Sequence, residues 1–152
     1  TPTGLIFSRQ NINNLPADNR KEASKQTEKG AYVVETDTNP DVILLASGSE
    51  VSTLVDGAAL LRADGIKVSI VSVPSEGIFR NQSAEYQESV LPRTIKKFGL
   101  TAGLPVNLLG LVGENGKIWG LESFGFSAPY KVLDEKLGFT AENVYKQVKS
   151  LL

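Results

Sequence analysis

Apolar positions along the chain follow two rhythms, and their alternation predicts the architecture. Val42 to Ser47 (VILLAS) is a continuous apolar run of buried-strand length, bounded by Asn39-Pro40 before it and Gly48 after it. Ser49 is placed to cap the following helix, in which Val51, Leu54, Val55, Ala58 and Leu61 share one face and Gly65 stands at the end. Lys67 to Val73 (KVSIVSV) alternates with a period of two and is rich in β-branched residues, so it reads as a strand. A helix joining two buried strands makes a parallel crossover, expected to be right-handed. Tyr32 to Glu35 adds a short strand before this unit.

Beyond Pro74 the chain is predicted to loop through Gly77 and Phe79 into a short helix near Ser83 to Val90, stopped by Pro92. Lys96 to Leu100 and Lys117 to Leu121 are weaker strand candidates, separated by a stretch rich in glycine at Gly103, Gly110, Gly113 and Gly116. Ser127 is expected to cap a helix running through Leu137, with Pro129 in its first turn and Gly138 at its end. Thr140 caps the last helix, whose stripe is Val144, Val148 and Leu151. Together these elements predict a three-layer α/β domain around a mostly parallel sheet.

The first thirty residues behave differently. Leu5 to Asn11 (LIFSRQN) reads as an apolar strand that ends in Arg9, and Asn13 to Lys29 then carries Asp18, Arg20, Lys21, Glu22, Lys25, Glu28 and Lys29 with almost no large apolar residue. Interleaved charges of both signs mark a solvated linker, which sets the opening strand apart from the sheet that follows.

Composition narrows the chemistry. The chain has 152 residues, 41% hydrophobic, enough for one ordinary core. Sixteen Lys and Arg against seventeen Asp and Glu give a net charge of −1, which argues against a nucleic-acid surface. With neither cysteine nor histidine, disulfides, thiolate metal sites, the nitrogen ligands of zinc and the Ser-His-Asp and Cys-His sets are all excluded. Aliphatic runs such as Val42 to Ala46 fall far short of the ~18 residues that suggest a membrane span, so a soluble, cytoplasmic protein is expected.

Three places merit weighing as sites. The Arg9 guanidinium is a planar fork matched to phosphate or carboxylate, and a strand-end arginine without a neutralising neighbour reads as an anion grip. The turn Ser47-Gly48-Ser49-Glu50 lies where open α/β sheets bind ligands, yet Glu50 competes for the positive end of the helix, so capping is favoured over phosphate binding. Glycines 110–120 fit no nucleotide fingerprint, and Gly113 to Gly116 (GENG) reads as a turn. Trp119 and Phe124 are expected to pack against the sheet or a partner subunit, while Asp134 and Glu135, beside Lys131 and Lys136, form a polar helix face. No set of residues amounts to a self-sufficient active site.

Several blocks, taken in order, resemble the carboxy-terminal part of transketolase. They are LIFSRQN at Leu5 to Asn11, VILLASGSEV at Val42 to Val51, PSEGIFRNQSAEYQESVLP at Pro74 to Pro92, FGFSAP at Phe124 to Pro129 and LGFTAENV at Leu137 to Val144. Thr101-Ala102-Gly103 stands where the family commonly has Glu-Ala-Gly, and Leu104 to Leu111 departs from the stretch that usually follows, so the resemblance specifies no contacts for that region.

The resemblance implies a five-stranded mixed, mostly parallel sheet flanked by helices, with its first strand antiparallel to the others. It implies a division into residues 1–12 as the last strand of a preceding pyrimidine-binding domain, 13–30 as linker and 31–152 as the transketolase carboxy-terminal domain. The family transfers a two-carbon ketol unit between ketose and aldose phosphates in the pentose phosphate pathway, as a homodimer, using thiamine diphosphate and Mg2+ or Ca2+. On this view Arg9 grips the substrate phosphate, cofactor, metal and catalytic groups belong to other domains, and these 152 residues alone are structural and non-catalytic. Two alternatives stay open: a free-standing α/β module that holds a small anion at Ser47 to Glu50 or serves oligomerisation, and the terminal domain of a related thiamine diphosphate enzyme, such as a deoxyxylulose phosphate synthase or a pyruvate dehydrogenase beta chain.

Overall fold

Strand-forming segments assemble into one five-stranded sheet in the computed structural model, which describes residues 4, 7, 10–15 and 20–152. The strands are β1 (Tyr32–Thr36), β2 (Val42–Ala46), β3 (Val68–Ser72), β4 (Lys96–Leu100) and β5 (Lys117–Trp119), in the order β1-β3-β2-β4-β5. β1 runs antiparallel to β3, and every other pairing is parallel. The expected mixed, mostly parallel sheet is therefore present. β2 lies at its centre, with Leu44 opposite both Ile70 and Phe98, and all five of its residues are buried. A strand covered on both faces has no need of polar residues, which accounts for the unbroken apolar run VILLA.

The helices are α1 (Arg20–Lys25), α2 (Glu50–Ala63), α3 (Glu76–Arg80), α4 (Ala84–Val90), α5 (Val106–Val112), α6 (Tyr130–Leu137) and α7 (Ala141–Leu151). On one face of the sheet, α2 and α7 bury Val51, Leu54, Ala58, Leu61, Val144 and Val148 against Leu44, Ile70 and Phe98. The two helices approach closely at Gly57, where a Cβ would come within 2.7 Å of the Val144 Cβ. On the other face, α3, α4 and α5 contribute Phe79, Val90, Leu108, Leu111 and Val112 to a second core against Ile43, Leu45 and Val71.

β1 is fastened to this frame by charge. The Asp37 carboxylate accepts from the Val68 amide at 2.8 Å and from Arg62 Nε at 2.8 Å, while Arg62 Nη1 pairs with Glu35. The Arg62 hydrogen bond, followed by that from Val68, holds the Asp37 carboxyl below its ordinary value.

Several local expectations need correction. Ser49 occupies the position before α2 but has helical backbone angles (φ −62°, ψ −31°), and its Oγ lies 3.2 Å from Glu50 Oε1 rather than accepting from the first turn. The chain begins to wind one residue earlier, with the Val51 amide bonded to the Gly48 carbonyl. The segment around Gly77 and Phe79 is helix α3 rather than loop, capped by Ser75, whose Oγ accepts from the Ile78 amide. The glycine-rich stretch contains α5.

α6 starts at Tyr130 with Pro129 as its cap residue, so Ser127 stays outside the helix. Within the segment read as a linker, α1 and a 3-10 turn at Gln26–Lys29 are formed. The GENG turn is present, but its left-handed residue is Gly113 rather than the Asn-Gly pair. Gly65 and Gly138 do end α2 and α6 with positive φ and Thr140 caps α7 as expected, while α4 is capped by Ser83, whose Oγ accepts from the Tyr86 amide.

Candidate active-site margin of the domain

The carboxyl ends of the parallel strands and the start of α2 form the edge where a ligand would be sought. The chain reaches this edge early: Gln10, Asn11 and Asn13 lie against Ser49 and Ser52 of the α2 start and Tyr130 and Asp134 of α6, around a cleft of about 240 Å³. Arg9, the predicted phosphate grip, and most of the predicted strand from Leu5 onward fall outside the described residues.

The electrostatics of this cleft disfavour an anion at the Ser47–Glu50 turn. Burial raises the Glu50 carboxyl above its ordinary value, opposed by hydrogen bonds from its own amide and from Ser49, and the facing charge of Asp134 raises it further. Burial likewise raises the Asp134 carboxyl. Asp56 lines the same cleft. A phosphate placed here would meet carboxylates on both sides, so the turn is a helix start rather than an anion cradle.

Of the polar face expected on α6, Lys131, Glu135 and Lys136 are exposed, but Asp134 is half-buried against the α2 start. The two aromatics also part company. Trp119 packs on the α2/α7 core and its indole donates to the Leu137 carbonyl at 3.0 Å, whereas Phe124 is 97% exposed.

Among the described residues, no group of three or more His, Cys, Asp or Glu side chains could hold a metal ion. Histidine and cysteine are absent from the whole sequence. Among the described residues, no helix is long and apolar enough to cross a membrane.

The family model for the transketolase-like TK C-terminal domain matches residues 30–140. The chain belongs to the transketolase family. A transketolase from Staphylococcus epidermidis is 42% identical over 153 aligned positions, which take in 99% of this chain and 23% of that protein. The chain thus spans about a quarter of the length of the curated transketolases it matches. Among solved structures, transketolase from Leishmania mexicana superposes with a TM-score of 0.78 at 31% identity, over 84% of this chain and 18% of that one. Transketolase from Pichia stipitis in complex with sedoheptulose 7-phosphate superposes with a TM-score of 0.77 at 30% identity, over 84% of this chain and 18% of that one. The fold described above is that of the transketolase C-terminal domain.

Proposed function

We propose that this chain serves as the C-terminal domain of a transketolase, an enzyme that moves a two-carbon ketol unit between ketose and aldose phosphates in the pentose phosphate pathway. The observation that carries the reading is the alignment of 99% of the chain with transketolase at 42% identity. It is supported by the likeness to a transketolase described in complex with a sugar phosphate. In this reading residues 1–12 are the last strand of the preceding pyrimidine-binding domain, 13–30 the linker and 31–152 the terminal domain. Thiamine diphosphate and the Mg2+ or Ca2+ ion are held by the other domains, and the enzyme works as a cytoplasmic homodimer. Arg9 reaches the phosphate of the sugar substrate, because a guanidinium offers paired donors to its oxygens.

The 152 residues alone supply no group to start the chemistry and are non-catalytic. An assay of the chain with thiamine diphosphate, Mg2+ and a ketose/aldose phosphate pair should give no turnover, and turnover above background would sink the reading. Within a transketolase-length polypeptide carrying this segment, Arg9→Ala should raise KM for phosphorylated substrates about tenfold or more, with a smaller effect on unphosphorylated analogues. Equal effects on both would remove Arg9 from the phosphate.

A further inference from the structure

A groove of about 850 Å³ lies away from the carboxyl edge, between the end of α4, the start of β4 and the turn after α5. Arg80, Arg93, Lys96 and Lys97 line it, against the carboxylates of Glu88 and Glu114. Arg80 is held by Glu76 at 2.6 Å, whereas Arg93 pairs only loosely with Glu88. Among the described residues, neither Lys96 nor Lys97 forms an ion pair. Lys96 donates to the Leu151 carbonyl at 2.7 Å.

Lys97 is the unusual member. It is only 6% exposed, and its ammonium donates to the carbonyls of Pro92 at 2.6 Å and Ile95 at 3.1 Å. An ammonium has three N–H donors, and a buried charge is costly without a counter-ion. Carbonyl dipoles answer two of the donors, and among the described residues no carboxylate forms an ion pair with the ammonium. Burial accordingly lowers the Lys97 pKa, partly offset by the more distant Glu88. Arg93 stands at the mouth of the groove with its side chain 90% exposed, and its pairing with Glu88 is long, at 3.5 Å. It is free to exchange that partner for a stronger one.

We propose that this groove binds a phosphate monoester, with the Lys97 ammonium as the buried anchor and the Arg93 guanidinium closing over the phosphate. A phosphate offers enough acceptors to answer both cations at once, and the cavity leaves room for the organic part of the ester. The site does not depend on the transketolase reading, because every residue in it belongs to this chain and it shares none of the residues that line the cleft at the carboxyl edge.

The test is a titration of the 152-residue chain with glycerol 3-phosphate at constant ionic strength, followed by amide chemical shifts, with inorganic phosphate, acetate and glycerol as companions. Saturable shifts at Ile95 to Lys97 and Gly113 to Asn115 are expected for the two phosphates, with none for glycerol and weaker ones for acetate. Arg93→Ala, at an exposed position that leaves the fold intact, should weaken glycerol 3-phosphate about tenfold. Lys97→Met should abolish binding. Shifts that fail to saturate, equal binding of glycerol, or an affinity unchanged in Arg93→Ala would each overturn the proposal, whether or not Lys97→Met folds.

Discussion

The two faces of the sheet are built differently. One is covered by α2 and α7, helices of 14 and 11 residues that meet at Gly57 and bury Leu54, Ala58, Val144 and Val148 completely. The other is covered by α3, α4 and α5, of 5, 7 and 7 residues, each anchored by a few side chains such as Phe79, Val90 and Leu111. Helices this short are marginal by themselves, so those on the second face rely on tertiary packing and caps for their geometry. The difference places rigidity on one side and an open, charged groove on the other.

The largest expected effects test that contrast directly. Leu54→Ala should cost roughly 4 kcal/mol, toward the upper end of the leucine-to-alanine range, because its surroundings cannot collapse. Leu111→Ala should cost about 2 kcal/mol, since it borders the groove and the space opens to water. Urea denaturation of both variants gives the comparison, and equal losses would remove the distinction between the faces. Next, Gly57→Ala should cost about 1–3 kcal/mol by forcing α7 away from α2, despite the gain in helix propensity. A neutral or stabilising result would show that the two helices slide freely. Removing a cap from a short helix, as in Ser75→Ala or Ser83→Ala, should cost about 1 kcal/mol each. Amide exchange should rise locally in α3 or α4 and leave α2 and α7 unchanged.

The smallest effect is in the pH dependence, where two carboxylates act in opposite directions. The folded value of Asp37 is lowered, so its contribution is present above the unfolded value and is lost as pH falls through the folded one. The folded value of Glu50 is raised, so its contribution is present below the unfolded value and is lost as pH rises through the folded one. Asp37→Asn should therefore flatten the acid limb of the stability curve, and Glu50→Gln should relieve a penalty at neutral pH. Midpoints of urea unfolding across pH 2 to 7 would check both signs.

What the sequence makes legible follows the same division. β2, β3 and α2 could be placed within a residue or two because burial on both faces of a strand and one face of a long helix imposes periods that a single sequence displays. α3 and α5 are not legible, because five to seven residues are too few to display a helical period. α3 did carry a signal in its Ser75 cap, and α5 was obscured by the glycines on either side of it and within it. The inward position of Lys97 was also readable, since it shares its parity along β4 with Gly99, over which α5 packs. The half-burial of Asp134 was not, because the cleft it lines is assembled from distant parts of the chain, residues 10–13 among them.

The position of α7 has a further consequence for how the chain acquires its structure during synthesis. Val144 and Val148 complete the larger of the two cores, and Lys96 and Lys117 reach Leu151 and Ser150 at the far end of the same helix. No N-terminal portion of the domain can close this core before residue 148 has left the ribosome. Until then β2, an entirely apolar strand, has no complete cover, and a nascent chain whose residue 148 is still inside the ribosome should be a substrate for chaperones rather than a folded intermediate.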